Sequence, residues 1–220
     1  MLDTRDLQRA TYDIVDALSW APDGHALTYH VLHWSSDCDF RGAVESSGSS
    51  LYVVDADGGH RTVLQRTVGN VGLAGPAAWS PDSSRIAFVD ACNRDFPSCT
   101  RAVLVNADGS ERSVLKPAPV LSDSVIWSEA GDQLYFATAN EGTGGPLGLL
   151  AFPASGGTPQ WLVQGCNVGS ESSLKLSRDG GKLLAVAGGY GGTCNRLVDV
   201  LTGRAWRVTI PSSDADVVIP

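Results

Sequence analysis

Lysine is nearly missing from this chain: only Lys116, Lys175 and Lys182 occur in 220 residues. Without a polybasic segment there is nothing to hold an anionic lipid surface. The formal net charge of -8 repels polyphosphate, because nucleic-acid binding needs a basic footprint. Nucleic acid is therefore excluded as a partner. No apolar run approaches the roughly 20 residues that cross a bilayer, and the opening MLDTRDLQRA lacks the apolar core of a signal peptide. The expectation is that nothing here spans or targets a membrane.

Catalytic signatures are missing too. No G-x-S-x-G elbow occurs, and no α/β pattern surrounds one. The glycine-rich stretches GTGG at 142–145 and GGYGG at 188–192 do not precede a helix, so they lack the N-terminus that phosphate cradles use and read as hairpin loops. His30 and His33 in HVLH stand three apart, which on a strand means opposite faces. They read as a strand residue followed by a loop residue. Asp55, Asp57, Asn106 and Asp108 offer each turn too few oxygens for calcium, which takes about six to eight, and read as turn caps. No catalytic residue, cofactor or metal is expected.

What the chain does contain, 43% hydrophobic and 18% charged residues, is the composition of a soluble globular protein. Its organisation is a repeat. Four anchors, Trp20, Trp79, Trp127 and Leu176, are spaced by 59, 48 and 49 residues, a period suited to one four-stranded unit. Seven residues after each comes a branched aliphatic, Leu27, Ile86, Leu134 or Leu183, opening the apolar runs LTYHV, IAFV, LYFAT and LLAVA. Between anchor and run lie APDGHA, SPDSSR, SEAGDQ and SRDGGK, turn sequences in which Pro presets φ, Asp bonds nearby amides and Gly takes positive φ. A third run follows (LYVVD, AVLVN, LLAFP, RLVD), then a second turn, then a closing strand such as RTVL, RSVL, QWLV or AWRVT. Such a four-stranded antiparallel unit cannot bury both faces alone, so neighbours must stack. The wider first spacing has its main source in HWSSDCDFRGAVESSGSS, expected to be an insertion in a loop.

These residues carry a resemblance. Trp-Ser-Pro-Asp at 79–82 followed by IAFV, and its weaker copy at 20–29, resemble the TolB-type β-propeller repeat over nearly the whole chain. The third copy lacks Pro and Asp, and the fourth lacks Trp and Pro. The resemblance implies an all-β propeller or propeller segment, non-catalytic and often extracytoplasmic, that binds a protein or peptide. Similar repeats form the gating propellers of prolyl-oligopeptidase-like enzymes. The expected single domain comprises blades at about 12–67, 68–117, 118–165 and 166–210, with 1–11 and 211–220 belonging to a further blade. Residues 3–18 also admit an amphipathic helix, with Leu7, Ala10, Ile14 and Leu18 at helical spacing, but the repeat is preferred. Four blades would be part of a six- to eight-bladed ring, a small fastened ring, or half of a ring completed by a second chain, within the usual range of about 4 to 8. Open blade edges would invite self-association.

In this arrangement Cys38, Cys92, Cys99 and Cys194 fall in second-to-third-strand loops and Cys166 in a loop between blades, all on one face. Cys92 and Cys99 bracket the mouth of one hairpin, where Cα separations of about 5.5 Å favour a bridge. Disulfides Cys92–Cys99 and Cys166–Cys194 are expected, leaving Cys38. Reduced thiols in a cytoplasmic protein are the alternative. C-x6-C lacks the short spacing of a zinc site. Asp16 and Asp123, four residues before their anchors, are candidates for a channel rim that attracts a cationic peptide or ion; solvated loop carboxylates would give the same pattern. Trp34 and Phe40 in the first insertion are candidate interface aromatics, or local core. The reading is a periplasmic or secreted, non-enzymatic scaffold that binds a protein or peptide through its loop face and channel mouth. The runner-up is the gating propeller of a larger serine hydrolase. A lyase-like propeller for acidic saccharides is disfavoured by the acidic charge.

Overall fold

The computed structural model describes residues 9–37, 44–68, 73–91, 100–115, 121–138, 147–167, 173–187 and 195–209. These residues form sixteen strands and no helix. The first blade holds β1 (Arg9–Trp20), β2 (Ala26–Asp37), β3 (Val44–Asp55) and β4 (Thr62–Val68). The second holds β5 (Leu73–Trp79), β6 (Arg85–Ala91), β7 (Thr100–Asn106) and β8 (Ser113–Leu115). The third holds β9 (Leu121–Trp127), β10 (Gln133–Thr138), β11 (Gly148–Pro153) and β12 (Gln160–Gln164). The fourth holds β13 (Ser173–Leu176), β14 (Lys182–Val186), β15 (Arg196–Asp199) and β16 (Ala205–Arg207). Each is an antiparallel sheet whose strands pair in chain order, and the first strands of successive blades lie against one another.

The turn after each anchor is built identically four times. The residue after the anchor donates its N–H to the first residue of the next strand: Ala21 to Ala26, Ser80 to Arg85, Ser128 to Gln133, Ser177 to Lys182. The residue four after the anchor lies in the left-handed region, with φ of 74° at Gly24, 61° at Ser83, 71° at Gly131 and 69° at Gly180. Three glycines meet that demand without a Cβ penalty. Asp82 and Asp179 cap their turns through Ser84 and Gly181 N–H. At the second turn, Gly58 and Gly109 take φ of 84° and 86°, while Asp57 and Asp108 accept from Gly59 and Ser110 N–H. These aspartates are turn caps.

Alternation along the strands gives each blade two apolar faces, and the core is three seams between blades. Leu51, Val53 and Leu64 of the first blade meet Trp79, Ile86, Phe88 and Val103 of the second. Ala87, Val89 and Leu104 meet Trp127, Leu134, Phe136 and Phe152. Tyr135, Ala137 and Leu149 meet Leu174, Leu183 and Val198. The first seam also encloses Asp90, fully buried, with Arg101 Nη2 at 2.8 Å and Gln65 Nε2 of the first blade donating at 3.3 Å. Arg112 crosses the same seam, donating to the Leu64 carbonyl at 3.1 Å.

Three expectations change. The first insertion is mostly not a loop. It lengthens β2 and β3 to twelve residues each, because pairing satisfies backbone groups that a loop would leave to solvent. Trp34 and His33 therefore lie on β2, Trp34 opposite Tyr12 and Ser46. The helical alternative for 3–18 fails from Arg9 onward, where β1 begins, so residues 9–11 pair with Ser35–Asp37 rather than closing a further blade.

Candidate functional site

Four inner strands, β1, β5, β9 and β13, converge on the anchors, and a cleft of about 580 Å³ runs along them. Its walls include Leu18, Trp20, Pro22, Pro76, Pro81 and Ile126, with Glu129 and Arg178 among the turn residues at its lip. Pro22 and Pro81 sit there because their turn positions accept a fixed φ, whereas Pro76 lies within β5. Trp79 and Trp127 are spent inside the fold: their Nε1 atoms donate to the Ser19 and Ala78 carbonyls, both at 3.0 Å. Trp20 differs, being 58% exposed. The cleft thus offers apolar and proline walls with an exposed indole, chemistry that suits an extended peptide with apolar side chains.

A second cavity, about 680 Å³, opens between the third and fourth blades beside Glu129, Asp132, Tyr135, Asp179 and Leu201. The Ser177 hydroxyl and Gly181 N–H hold the Asp179 carboxyl below its ordinary range, while burial, aided by Asp132, pushes the Tyr135 phenol up. Asp82, in the corresponding turn of the second blade, is lowered to about 2 by the Ser80 hydroxyl and by Ser84. Among the described residues no three His, Cys, Asp or Glu side chains stand together as metal ligands.

Asp16 and Asp123 both fall where an inner strand slips register. Val15 and Ala17 pair with consecutive residues Val31 and His30, leaving Asp16 as the extra residue. Leu121 pairs with Thr138 and Val125 with Phe136, so residues 122–124 oppose Ala137 alone. β5 slips in the same place, between Ala74 and Ala78. Such bulges re-aim the chain, and they place these positions about 10–12 Å along the strands from the anchors. Trp34 is half-buried on β2. His33 Nδ1 donates to Asp13 Oδ1 at 2.7 Å and its Nε2 pairs with Ser50 Oγ at 2.9 Å. Phe40, Cys38, Cys92, Cys99, Cys194, GTGG and GGYGG lie outside the described residues. Cys166 is buried in the third seam.

The sequence reading missed the anchor-end cleft. Its signal, Pro22 and Pro81 directly after Trp-Ala and Trp-Ser, was legible only as turn chemistry. That four such turns share one cleft follows from stacking, which a linear pattern does not contain.

No family model and no curated protein sequence matches the chain. Solved structures do. TolB from Acinetobacter baumannii is 20% identical over 92% of this chain and 45% of its own, with a TM-score of 0.60. A chain of the nidogen/laminin complex is 16% identical over 88% of this chain and 64% of its own, TM-score 0.62. An oligogalacturonate lyase in complex with manganese is 18% identical over 96% of this chain and 56% of its own, TM-score 0.63. The shared property is the propeller fold, found in non-enzymatic and enzymatic proteins alike. This chain spans between 45% and 64% of the length of those three.

Proposed function

We propose that this protein is a non-enzymatic β-propeller scaffold that binds a protein or peptide along its inner channel. The contact runs from the rim at Asp16, Asp123, Trp34 and Phe40 to the cleft at the anchors. One observation carries the reading: the inner strands of four blades line one apolar cleft, walled by prolines and bearing an exposed indole. The nidogen/laminin neighbour, a propeller seen in a protein complex, is consistent with it.

The test is selection of a phage-displayed library of unstructured peptides on the 220-residue chain, then calorimetric titration of the best synthetic peptide. Rim variant Asp16→Ala with Trp34→Ala and Asp123→Ala, and cleft variant Glu129→Ala with Arg178→Ala, should each weaken binding about tenfold. Loss in one variant alone would locate the contact at that end of the channel. Failure to select any peptide, or full affinity in both variants, would overturn the reading.

The compartment proposed is periplasmic or extracellular, with Cys92–Cys99 and Cys166–Cys194 as the bridges. The two proposals go together, since such bonds persist in oxidising surroundings.

A further inference from the structure

The arc has two ends, and each carries half of a blade-to-blade joint. In the joint between the second and third blades, the Trp127 indole donates to the Ala78 carbonyl at 3.0 Å. Arg85, the first residue of β6, lies 5.0 Å from the Trp127 ring centroid. Its guanidinium donates to the Ala154 and Gly131 carbonyls at 3.4 and 3.3 Å.

At the first-blade end, Trp20 occupies the place of Trp127, Gly24 that of Gly131 and Ala56 that of Ala154, by offset from the anchor and by strand register. Leu18, Tyr29, Tyr52 and Val63 form one cross-strand row on this outer face, with Trp20 and Leu27 beside it. The same face of the second blade, Trp79, Ile86 and Phe88, is buried against its predecessor. Here Leu18 is 66% exposed and Val15 56%. Tyr52 is itself covered, with Arg61 over its ring, and the open part of this face is Val15, Leu18, Trp20 and Val63.

At the fourth-blade end, Lys182 occupies the place of Arg85 and the Lys175 carbonyl that of Ala78. Leu184, Leu197 and Trp206 form a row with Lys175 on the outer face, of which Leu184 is buried and Trp206 is 37% exposed. Charge is complementary as well. Residues 173–209 hold six Lys and Arg against two Asp, whereas residues 9–68 hold eight Asp and Glu against four Arg. In a chain of net charge -8 the fourth blade is thus locally basic.

We propose that the fourth blade of one copy docks on the first blade of a second copy, head to tail, and that the contact made twice about a two-fold axis closes an eight-bladed ring. In that joint Lys182, which meets Asp199 at 2.6 Å in the single chain, turns to lie over the second copy's Trp20, and that indole donates to the Lys175 carbonyl. Head-to-tail contacts close only when the rotation permits, and eight blades fall within the range of about 4 to 8 that propellers adopt. The joint takes up Leu18 and Trp20, which also wall the cleft, but the assembly is measured without peptide, so its failure and that of the peptide reading are distinguishable.

The test is sedimentation velocity and light scattering of the full chain at micromolar concentration, with and without reductant. A species of about 46 kDa, twice the 23.0 kDa chain, is expected under both conditions, dissociating more readily at high salt. Leu18→Glu and, separately, Lys182→Glu should each weaken the dimer about tenfold or more. Leu18 is exposed in the single chain, so an unchanged far-ultraviolet spectrum should accompany its loss of assembly; Lys182→Glu serves if it does not. A monomer, an open polymer, a dimer lost on reduction, or a dimer indifferent to both variants would overturn the proposal.

Discussion

Asp90 is a charge carried fully inside the protein, and its surroundings explain why that is tolerated. Arg101 meets Oδ2 through Nε at 3.0 Å and Nη2 at 2.8 Å, Arg112 stands 3.6 Å away, and Gln65 reaches it from the first blade at 3.3 Å. Arg112 also stacks over Phe88, 5.4 Å from the ring centroid, so one charged group ties two blades and the seam between them. Asp90→Ala would leave two arginines facing each other without their carboxylate. Breaking such a pair costs about 3–5 kcal/mol. Arg101 is partly exposed and can turn outward, so the loss should lie toward the lower end of that range. Urea unfolding checks it: a loss below about 0.5 kcal/mol, the size of an ordinary surface change, would show that the network is ornamental. Nothing in IAFVDA announces this role. Asp90 closes an apolar strand in the sequence, and Gln65, Arg101 and Arg112 reach it only after three separate strands have paired and stacked.

The anchors show where a linear reading succeeds and where it stops. Trp20, Trp79 and Trp127 end their inner strands as the spacing requires, and all four post-anchor turns share one geometry, because turn residues act through local φ preferences that sequence records directly. What each anchor does is a property of two blades. The indoles of Trp79 and Trp127 reach backward to the carbonyl just before the previous anchor, a contact that no offset within one repeat describes. Asp16 and Asp123 were singled out by their offset, but the feature they share is the inner-strand bulge, set by hydrogen-bond register with the neighbouring strand. Trp127→Phe tests the anchor as an element. The ring remains in the seam, the N–H is lost, and the Ala78 carbonyl loses its partner, which costs about 1–3 kcal/mol when buried. Arg85 keeps an aromatic face, so cation–π contact survives and the loss isolates the hydrogen bond. Thermal unfolding at neutral pH should show it. An unchanged midpoint would mean that solvent satisfies the carbonyl equally well.

Across the whole molecule the seams are unequal, and this sets the order in which the arc comes apart. The first seam combines the Trp79 indole bond with the Asp90 network, and the second combines the Trp127 bond with Arg85. At the third seam the anchor is Leu176, which has no indole to donate, and a cavity of about 680 Å³ opens beside it. The fourth blade also has the shortest sheet: β13 and β15 span four residues each and β16 three. In a stacked repeat, stability is the sum of each unit and its nearest-neighbour contacts, so the blade with the poorest seam and fewest internal pairs opens first. Hydrogen exchange on a dilute, monomeric sample should find the amides of Leu183–Ala185 exchanging at least about tenfold faster than those of Ile86–Val89, a difference of about 1.4 kcal/mol in opening free energy. Both segments are buried and lie on second strands, which removes solvent exposure as an explanation. Equal protection would mean that the four blades open as one cooperative unit, and the missing indole would then carry no weight in holding the arc together.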